Sequence, residues 1–551
     1  MKKLLVIVLL GVAFFAGTGG VVLAQENVTI NGNAVQRVTI APPQTDLARL
    51  IKISLAKSYD AAHPDSAAYL AAQKLYYFYG ARGFSPLWLT KNPMGKITFS
   101  PAAQKIITVF NKSYLEGLRP ADYLTGALSL DGAFEDPARL AAVETAFSAA
   151  AVRYAKNAFS GRIKPASVSH SITQKPPELD GAKFLLQLAS STEPDRLLLS
   201  LSPQTREFLA LKAALARALK DNEAEPIVIA NGKILKAGMS DRRVAVLRQR
   251  LDLPATGADQ DASDVYDAEL VAAIKAFQLN MGLIVDGIVG PATIAALNGA
   301  TAPSKQNIIA NMERWRWMPR DLGDFYVLVN IPEFRLTIVR NGNTSFQTRV
   351  VVGKREFQTP VFSDEIENIV VNPYWNVPSS IARREIGPAI ISDPKYLSAN
   401  NMELLSGGQV VNAALIDWST TSISKFRVRQ RPGRNNALGT IKFLFPNEHA
   451  VYLHDTPSKY LFSRSRRAYS HGCVRVQDPM AFAQALLVNE ENLSRASLER
   501  QFGAKERWNN LKTHIPVYLT YFTLRVDQDG NIRSYGDVYA IDAKLKQMLA
   551  A

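Results

Sequence analysis

What this chain lacks narrows its chemistry before any motif is read. Cys473 is the only cysteine in 551 residues, so no disulfide can form within the chain. Lysine and arginine give a formal net charge of +15, yet they are scattered, with no basic block interleaved with aromatics. Nucleic acid is therefore excluded as the expected partner. Past residue 24 there is no run of about 18 apolar residues, so membrane contact is expected only through the N-terminal segment. Cysteine and histidine do not recur at paired-ligand spacing, so no zinc is expected on His454, His471 and Cys473.

What is present begins with Met1, Lys2 and Lys3, an apolar run from Leu4 to Phe15, and small residues up to Ala24. This is a secretory signal pattern, with cleavage expected after Ala24 and an inner-membrane anchor if the segment is retained. An exported protein with one unpaired thiol directs attention to that thiol. With 47% apolar and 21% charged residues, the chain is expected to fold as about three globular domains.

After a polar lead, residues 45–228 read as a helical, Ala- and Leu-rich domain. Its aromatic stretch from Tyr76 to Trp88 is expected to be core. Residues 229–300 read as a compact helical unit. Val244, Leu247 and Leu251 share one face, Leu270, Ile274 and Phe277 another, and a tight turn at Asp286-Gly287 precedes a short helix entered at Pro291. From 301 to 551 the period changes to that of strands. These are expected at 325–331, 334–339, 346–352, 441–445, 450–454 and 517–526, with turns at Asn341-Gly342 and Asp529-Gly530. Between about 380 and 440 the strand texture gives way to a helical and loop-rich insertion, the length of a lid.

Ser470-His471-Gly472-Cys473-Val474-Arg475 carries the densest chemistry. In an extended run His471, Cys473 and Arg475 would point together, and both cationic neighbours would favour a thiolate near neutral pH. Gly472 permits close approach of another chain, and neighbouring N–H groups suit an oxyanion. His454, in Val451-Tyr452-Leu453-His454-Asp455, supplies a second imidazole, and spacing alone does not say which histidine is the base. The Asp455 carbonyl is a candidate to orient His454; the Asp455 carboxylate is a weaker one. His63, His170, His449 and His514 read as surface or structural residues.

His454 followed after fifteen residues by Ser470-His471-Gly472-Cys473-Val474-Arg475 resembles the signature of the L,D-transpeptidases. The likeness extends to Met312-Glu313-Arg314-Trp315-Arg316-Trp317, to Val371-Asn372-Pro373-Tyr374-Trp375-Asn376-Val377-Pro378 and to Asn436-Ala437-Leu438-Gly439, as in large Gram-negative members. Many members carry Asn where Arg475 stands. Phe277-Gln278, Asp286-Gly287 and Gly290-Pro291-Ala292-Thr293 resemble a peptidoglycan-binding domain. The resemblance implies a multidomain α+β protein with a helical scaffold, a three-helix wall-binding domain and a β-rich catalytic domain under a capping insertion. It implies Cys473 as nucleophile and His454 as general acid/base. His471, Gly472, Arg475, Ser470 and Tyr452 are implied as substrate or oxyanion contacts. The reaction implied is a 3→3 crosslink between peptidoglycan tetrapeptide stems in the periplasm, with loss of D-alanine and no cofactor, in an enzyme open to carbapenems. Cell-wall synthesis proteins are expected partners. An L,D-carboxypeptidase and a non-catalytic wall-binding scaffold are the alternatives. A serine penicillin-binding enzyme is excluded, because Ser54–Lys57 and Ser422–Lys425 lack Ser-Asp-Asn and Lys-Thr-Gly partners.

Overall fold

Short polar residues cap the helical runs of the N-terminal part, and β-branched runs closed by Asn-Gly and Asp-Gly turns build the C-terminal sheet. A computed structural model of the chain describes residues 24–30, 34–63, 66–131, 136–220, 228–230, 232–254, 264–281, 283–299, 303–527 and 529–551. The expected signal segment lies outside them but for its last residue. The chain divides into two units, Met1–Arg162 with Pro176–Ala216, and Ile163–Lys175 with Arg217–Ala551. Among the described residues no helix is long and apolar enough to cross a membrane.

In the first unit, Thr45, Ser66, Ser100, Asp136 and Asp180 accept N–H groups at the starts of helices 46–60, 67–80, 101–111, 137–160 and 181–190. Strands β1 (Ala24–Ile30) and β2 (Ala34–Ile40) pair antiparallel, as do β3 (Leu89–Lys91) and β4 (Ile97–Phe99), a hairpin too short for its sequence to announce. Tyr79, Phe84 and Trp88 are core, as their spacing suggests. The chain turns there because buried Glu144 accepts the Tyr79 hydroxyl and the N–H groups of Leu87, Trp88 and Leu89. A buried carboxylate is tolerated only when its acceptor capacity is filled in this way.

The second unit opens with helices 243–250, 268–280 and 291–299 around Val244, Leu247, Leu270 and Ile274. Gln278 holds the Asp286-Gly287 turn by accepting both N–H groups and donating to Asp286 and Ile288. Nine strands follow in one sheet: β5 (Phe325–Asn330), β6 (Arg335–Arg340), β7 (Asn343–Gly353), β8 (Phe362–Val371), β13 (Ile441–Leu444), β14 (Leu453–His454), β15 (Ala468–Ser470), β16 (Val474–Val476) and β17 (Arg507–Thr520). Their order is β15-β7-β16-β14-β13-β8-β17-β5-β6, and β6 also pairs with β7, which closes the sheet into a barrel around an aliphatic core. The strand expected at 450–454 shrinks to two residues, because Asn447 binds the N–H groups of His449 and Val451 and turns the chain at Ala450. The last long strand starts ten residues earlier than expected, and β18 (Leu524–Val526) forms a separate hairpin with β19 (Ile532–Ser534).

The insertion is more than helix and loop. Strands β9 (Trp375–Asn376), β10 (Met402–Ser406), β11 (Gln409–Val411) and β12 (Arg427–Gln430) form a second sheet over a core of its own, with Ile386, Ile390, Leu404 and Val428. Asn372 fixes its base by binding the carbonyls of Gln501 and Lys505, and Asn436 does so by binding the Pro373 carbonyl. Residues 163–175, read from sequence as part of the helical domain, belong with the barrel unit. Ile172 bridges Val361, and Glu313 of the buried helix 305–317 accepts the Ile163 N–H.

Candidate active site

Strand register places the site. Lys442 on β13 lies opposite His454 on β14, and His454 lies opposite Arg475 on β16, so the three side chains cross one face of the barrel wall. His454 is buried, and its Nδ1–H donates to the Asp455 carbonyl at 2.5 Å. That bond selects the Nδ1 tautomer and leaves Nε2 as an acceptor. Burial first, and then the Arg475 and Lys442 charges, hold the imidazole down at about 3, so it is neutral at physiological pH.

The Asp455 carboxylate is engaged elsewhere. It accepts the Thr440 N–H at 2.9 Å and hydroxyl at 3.0 Å, and it lies 2.7 Å from Lys459 Nζ. Gly439, at φ +62°, makes room for it; a Cβ there would sit 2.2 Å from Asp455 Oδ2. The Asp455 side chain thus shapes the turn while its carbonyl orients the imidazole.

The extended run expected from Ser470 to Arg475 does not form. The chain leaves β15 at Ser470, bends through His471, Gly472 and Cys473, and re-enters a strand at Val474. Gly472, at φ +119°, takes a conformation that a side chain would strain. The alternation that would align His471 with Cys473 is lost. His471 instead packs at a tilt against Phe357, ring centroids 4.8 Å apart, with Nε2 2.8 Å from Glu385 Oε1. Two hydroxyls hold the bend. Ser470 Oγ donates to the Cys473 carbonyl at 2.5 Å and accepts the Gly472 N–H at 3.1 Å. Thr359 Oγ1 donates to the Gly472 carbonyl at 2.7 Å and accepts the Gly353 N–H at 2.8 Å.

Cys473 Sγ lies 3.9 Å from the Ala450 carbonyl. Burial pushes the thiol up to about 11, while Tyr452 and Arg475 act in the opposite direction and do not overcome it. Desolvation of the sulfur thus opposes the thiolate that the neighbouring imidazole and guanidinium were expected to favour. Tyr452 packs edge-on against His454, centroids 5.6 Å apart, and burial with the nearby sulfur drives its hydroxyl well above the ordinary range. Arg475 Nε is buried without a hydrogen-bond partner.

Four residues of this neighbourhood carry no local sequence signal: Thr359, Glu385, Lys442 and Glu506. Lys442 Nζ is 3.7 Å from Glu506 Oε1 and 6.0 Å from the Tyr452 ring centroid. Strand pairing alone brings it beside His454. Among the other histidines, His449 Nε2 meets Thr173 Oγ1 at 2.7 Å, and His514 faces Glu365 and Glu367. Among the described residues no cluster of His, Cys, Asp or Glu is arranged to hold a metal.

Comparison with known proteins adds three domain matches. Residues 324–493 match the L,D-transpeptidase catalytic domain, 73–215 the scaffold domain and 243–297 a peptidoglycan binding domain. A Haemophilus influenzae protein provisionally named an L,D-transpeptidase is 36% identical over 245 residues, 44% of this chain and 49% of that one. The chain thus spans about half the length of that relative. The N-acetylmuramoyl-L-alanine amidase CwlL of Bacillus licheniformis is 44% identical over 80 residues, 14% of this chain and 21% of its own. An L,D-transpeptidase structure from Mycobacterium smegmatis overlays with 14% identity and a TM-score of 0.18, covering 36% of this chain and 58% of the other.

Proposed function

We propose that this chain, whose residues 324–493 match the L,D-transpeptidase catalytic domain, crosslinks peptidoglycan through a thioester on Cys473. The observation that carries this reading is the strand register that sets His454 against Arg475, two residues past Cys473, with the imidazole tied to the Asp455 carbonyl. His454 donates Nδ1–H to the Asp455 carbonyl, which leaves Nε2 as the base, one strand away from Cys473. As Sγ attacks the carbonyl of the L-centre of diaminopimelate in a tetrapeptide stem, His454 Nε2 takes the thiol proton. Collapse of the tetrahedral adduct breaks the peptide bond, His454 returns the proton to the amine, and D-alanine departs. The side-chain amine of a second stem then attacks the thioester, and His454 takes the amine's proton and delivers it to the departing sulfur. The product is a 3→3 crosslink, with the acyl energy drawn from the peptide bond already present.

The roles of the neighbours follow from what each has free. The Gly472 N–H is engaged by Ser470 Oγ, so the developing oxyanion falls to the Cys473 N–H, with the Tyr452 hydroxyl turning to it from the sulfur as the thioester forms. Arg475, with an unpartnered buried Nε, suits a substrate carboxylate, and His471 borders the acyl site from the far side of the bend. Residues 229–300 would hold the enzyme on the wall, residues 45–228 would serve as scaffold, and the leader would deliver the chain to the periplasm.

Mass spectrometry of disaccharide-tetrapeptide muropeptides incubated with the protein tests this. Dimers formed with loss of one D-alanine, absent in Cys473→Ala and His454→Ala, are the expected result. Tripeptide monomers alone would make it an L,D-carboxypeptidase, and binding without turnover would make it a scaffold.

A further inference from the structure

Two consecutive side chains of the capping insertion meet the nucleophile loop and the segment beside it, Glu385 at His471 and Arg384 at Phe357. Residues 382–386 wind as one turn of π-helix, a wide turn that recurs at functional sites, and it carries Arg384 and Glu385. Glu385 Oε1 stands 2.8 Å from His471 Nε2, and the Arg384 guanidinium lies 5.5 Å from the Phe357 ring centroid. Phe357 and His471 pack against each other at a tilt, and Lys354 Nζ lies 5.0 Å from the Phe357 ring centroid. The five groups form one cluster, joined through the Phe357 and His471 rings.

The Glu385 contact is close but not aligned. His471 Nε2 is buried and has no hydrogen bond of good geometry, so the carboxylate sits at ion-pair distance off the line of the ring N–H. The insertion has a hydrophobic core of its own and is tied to the barrel by the hydrogen bonds of Asn372 and Asn436. His471, for its part, is one glycine away from the nucleophile in a bend held by Ser470 and Thr359.

We infer that Glu385, assisted by Arg384, is a positioning residue: it fixes the His471 ring and thereby couples the place of the cap to the geometry of the Cys473 loop. The catalytic part of this inference rests on the proposed transpeptidation; the loop-ordering part does not. With the cap seated, Glu385 and Phe357 clamp the imidazole from two sides, and the Gly472 bend presents Sγ in one orientation. With the cap lifted, the ring loses its carboxylate and the bend keeps only its two hydroxyl ties.

The test uses the full chain with Glu385→Ala, Glu385→Gln and Arg384→Ala. Hydrogen-exchange mass spectrometry of peptides covering 354–360 and 468–476 reads loop order without requiring turnover. Glu385→Ala is expected to raise exchange in both segments by about tenfold and to leave peptides of the first unit unchanged. In crosslinking assays it should lower kcat by about tenfold with KM within about threefold, since a misplaced reacting group costs rate more than binding. Glu385→Gln, which keeps a hydrogen-bond acceptor, should restore most of both. Unchanged exchange in Glu385→Ala overturns the inference whether or not the wild-type protein turns over. Changed exchange with unchanged kcat overturns the coupling to catalysis. A wild-type protein that crosslinks nothing overturns the function proposed above, and the exchange result still decides whether Glu385 orders the loop.

Discussion

A sulfur buried beside a guanidinium is under two opposed influences, and their balance decides how it reacts. Removal of water raises the Cys473 thiol to about 11, and Arg475 and Tyr452 recover only part of that. His454 is held at about 3 by burial and two cations, so between those values both partners are neutral. A preformed thiolate–imidazolium pair is thereby disfavoured, and proton transfer belongs to the attack itself. Two pH profiles should then diverge. Alkylation of Cys473 by iodoacetamide, which needs thiolate, is expected to rise about tenfold per pH unit from 7 to 10. Thioester formation with a tetrapeptide donor, which needs only neutral His454 and a thiol, should stay flat from about pH 5 to 9. An alkylation rate that levels off near pH 7 would show a stable thiolate and reverse the order of proton transfer and attack.

At the scale of elements, the site is a set of strand registers joined by turns with single-residue requirements. Gly439 is one. Its positive φ and the Asp455 carboxylate packed against it leave no space for a methyl group. Gly439→Ala should expel the carboxylate from Thr440, disturb the carbonyl that orients His454 and cost roughly 2 kcal/mol or more of stability. Thermal melts and crosslinking rates measured together check it, with Asp455→Asn as the companion. Because the carbonyl does the orienting, Asp455→Asn should keep activity within about tenfold; a loss of a thousandfold would return the role to the carboxylate. The sequence was legible at this scale where spacing is local. The strands at 325–331 and 334–339, the Asn341-Gly342 turn and the helices around Val244 and Leu270 each announce themselves by period and punctuation. Reading failed where a bond from afar overrides a local pattern. Thr359 and Ser470 bend a run whose alternation suggests a strand, and Lys442 enters the site only through its register with His454.

At the scale of the whole chain, the order of residues and the order of packing disagree at one segment. Residues 163–175 lie between the helices 137–160 and 181–190 of the first unit, yet they pack as part of the barrel unit. The attachment is specific. Ile172 is 1% exposed in the barrel core and bridges Val361, Ser171 Oγ donates to Gln358 at 2.6 Å, and Gln174 accepts the Ser363 hydroxyl at 2.8 Å. Gln358 precedes Thr359, whose hydroxyl holds the Gly472 carbonyl, so the segment braces the loop that braces the nucleophile. Composition and period gave no warning, because a thirteen-residue strap is too short for either to register. Ile172→Ala should therefore act on the unit it packs in and not on the one that flanks it in sequence. A loss of about 2–4 kcal/mol is expected in the barrel unit, read as faster hydrogen exchange in peptides covering 325–330 and 362–371. Peptides covering 46–60 and 137–160 should keep their wild-type protection. The reverse pattern would mean that the strap is held by its chain neighbours, and that the barrel closes around Cys473 without it.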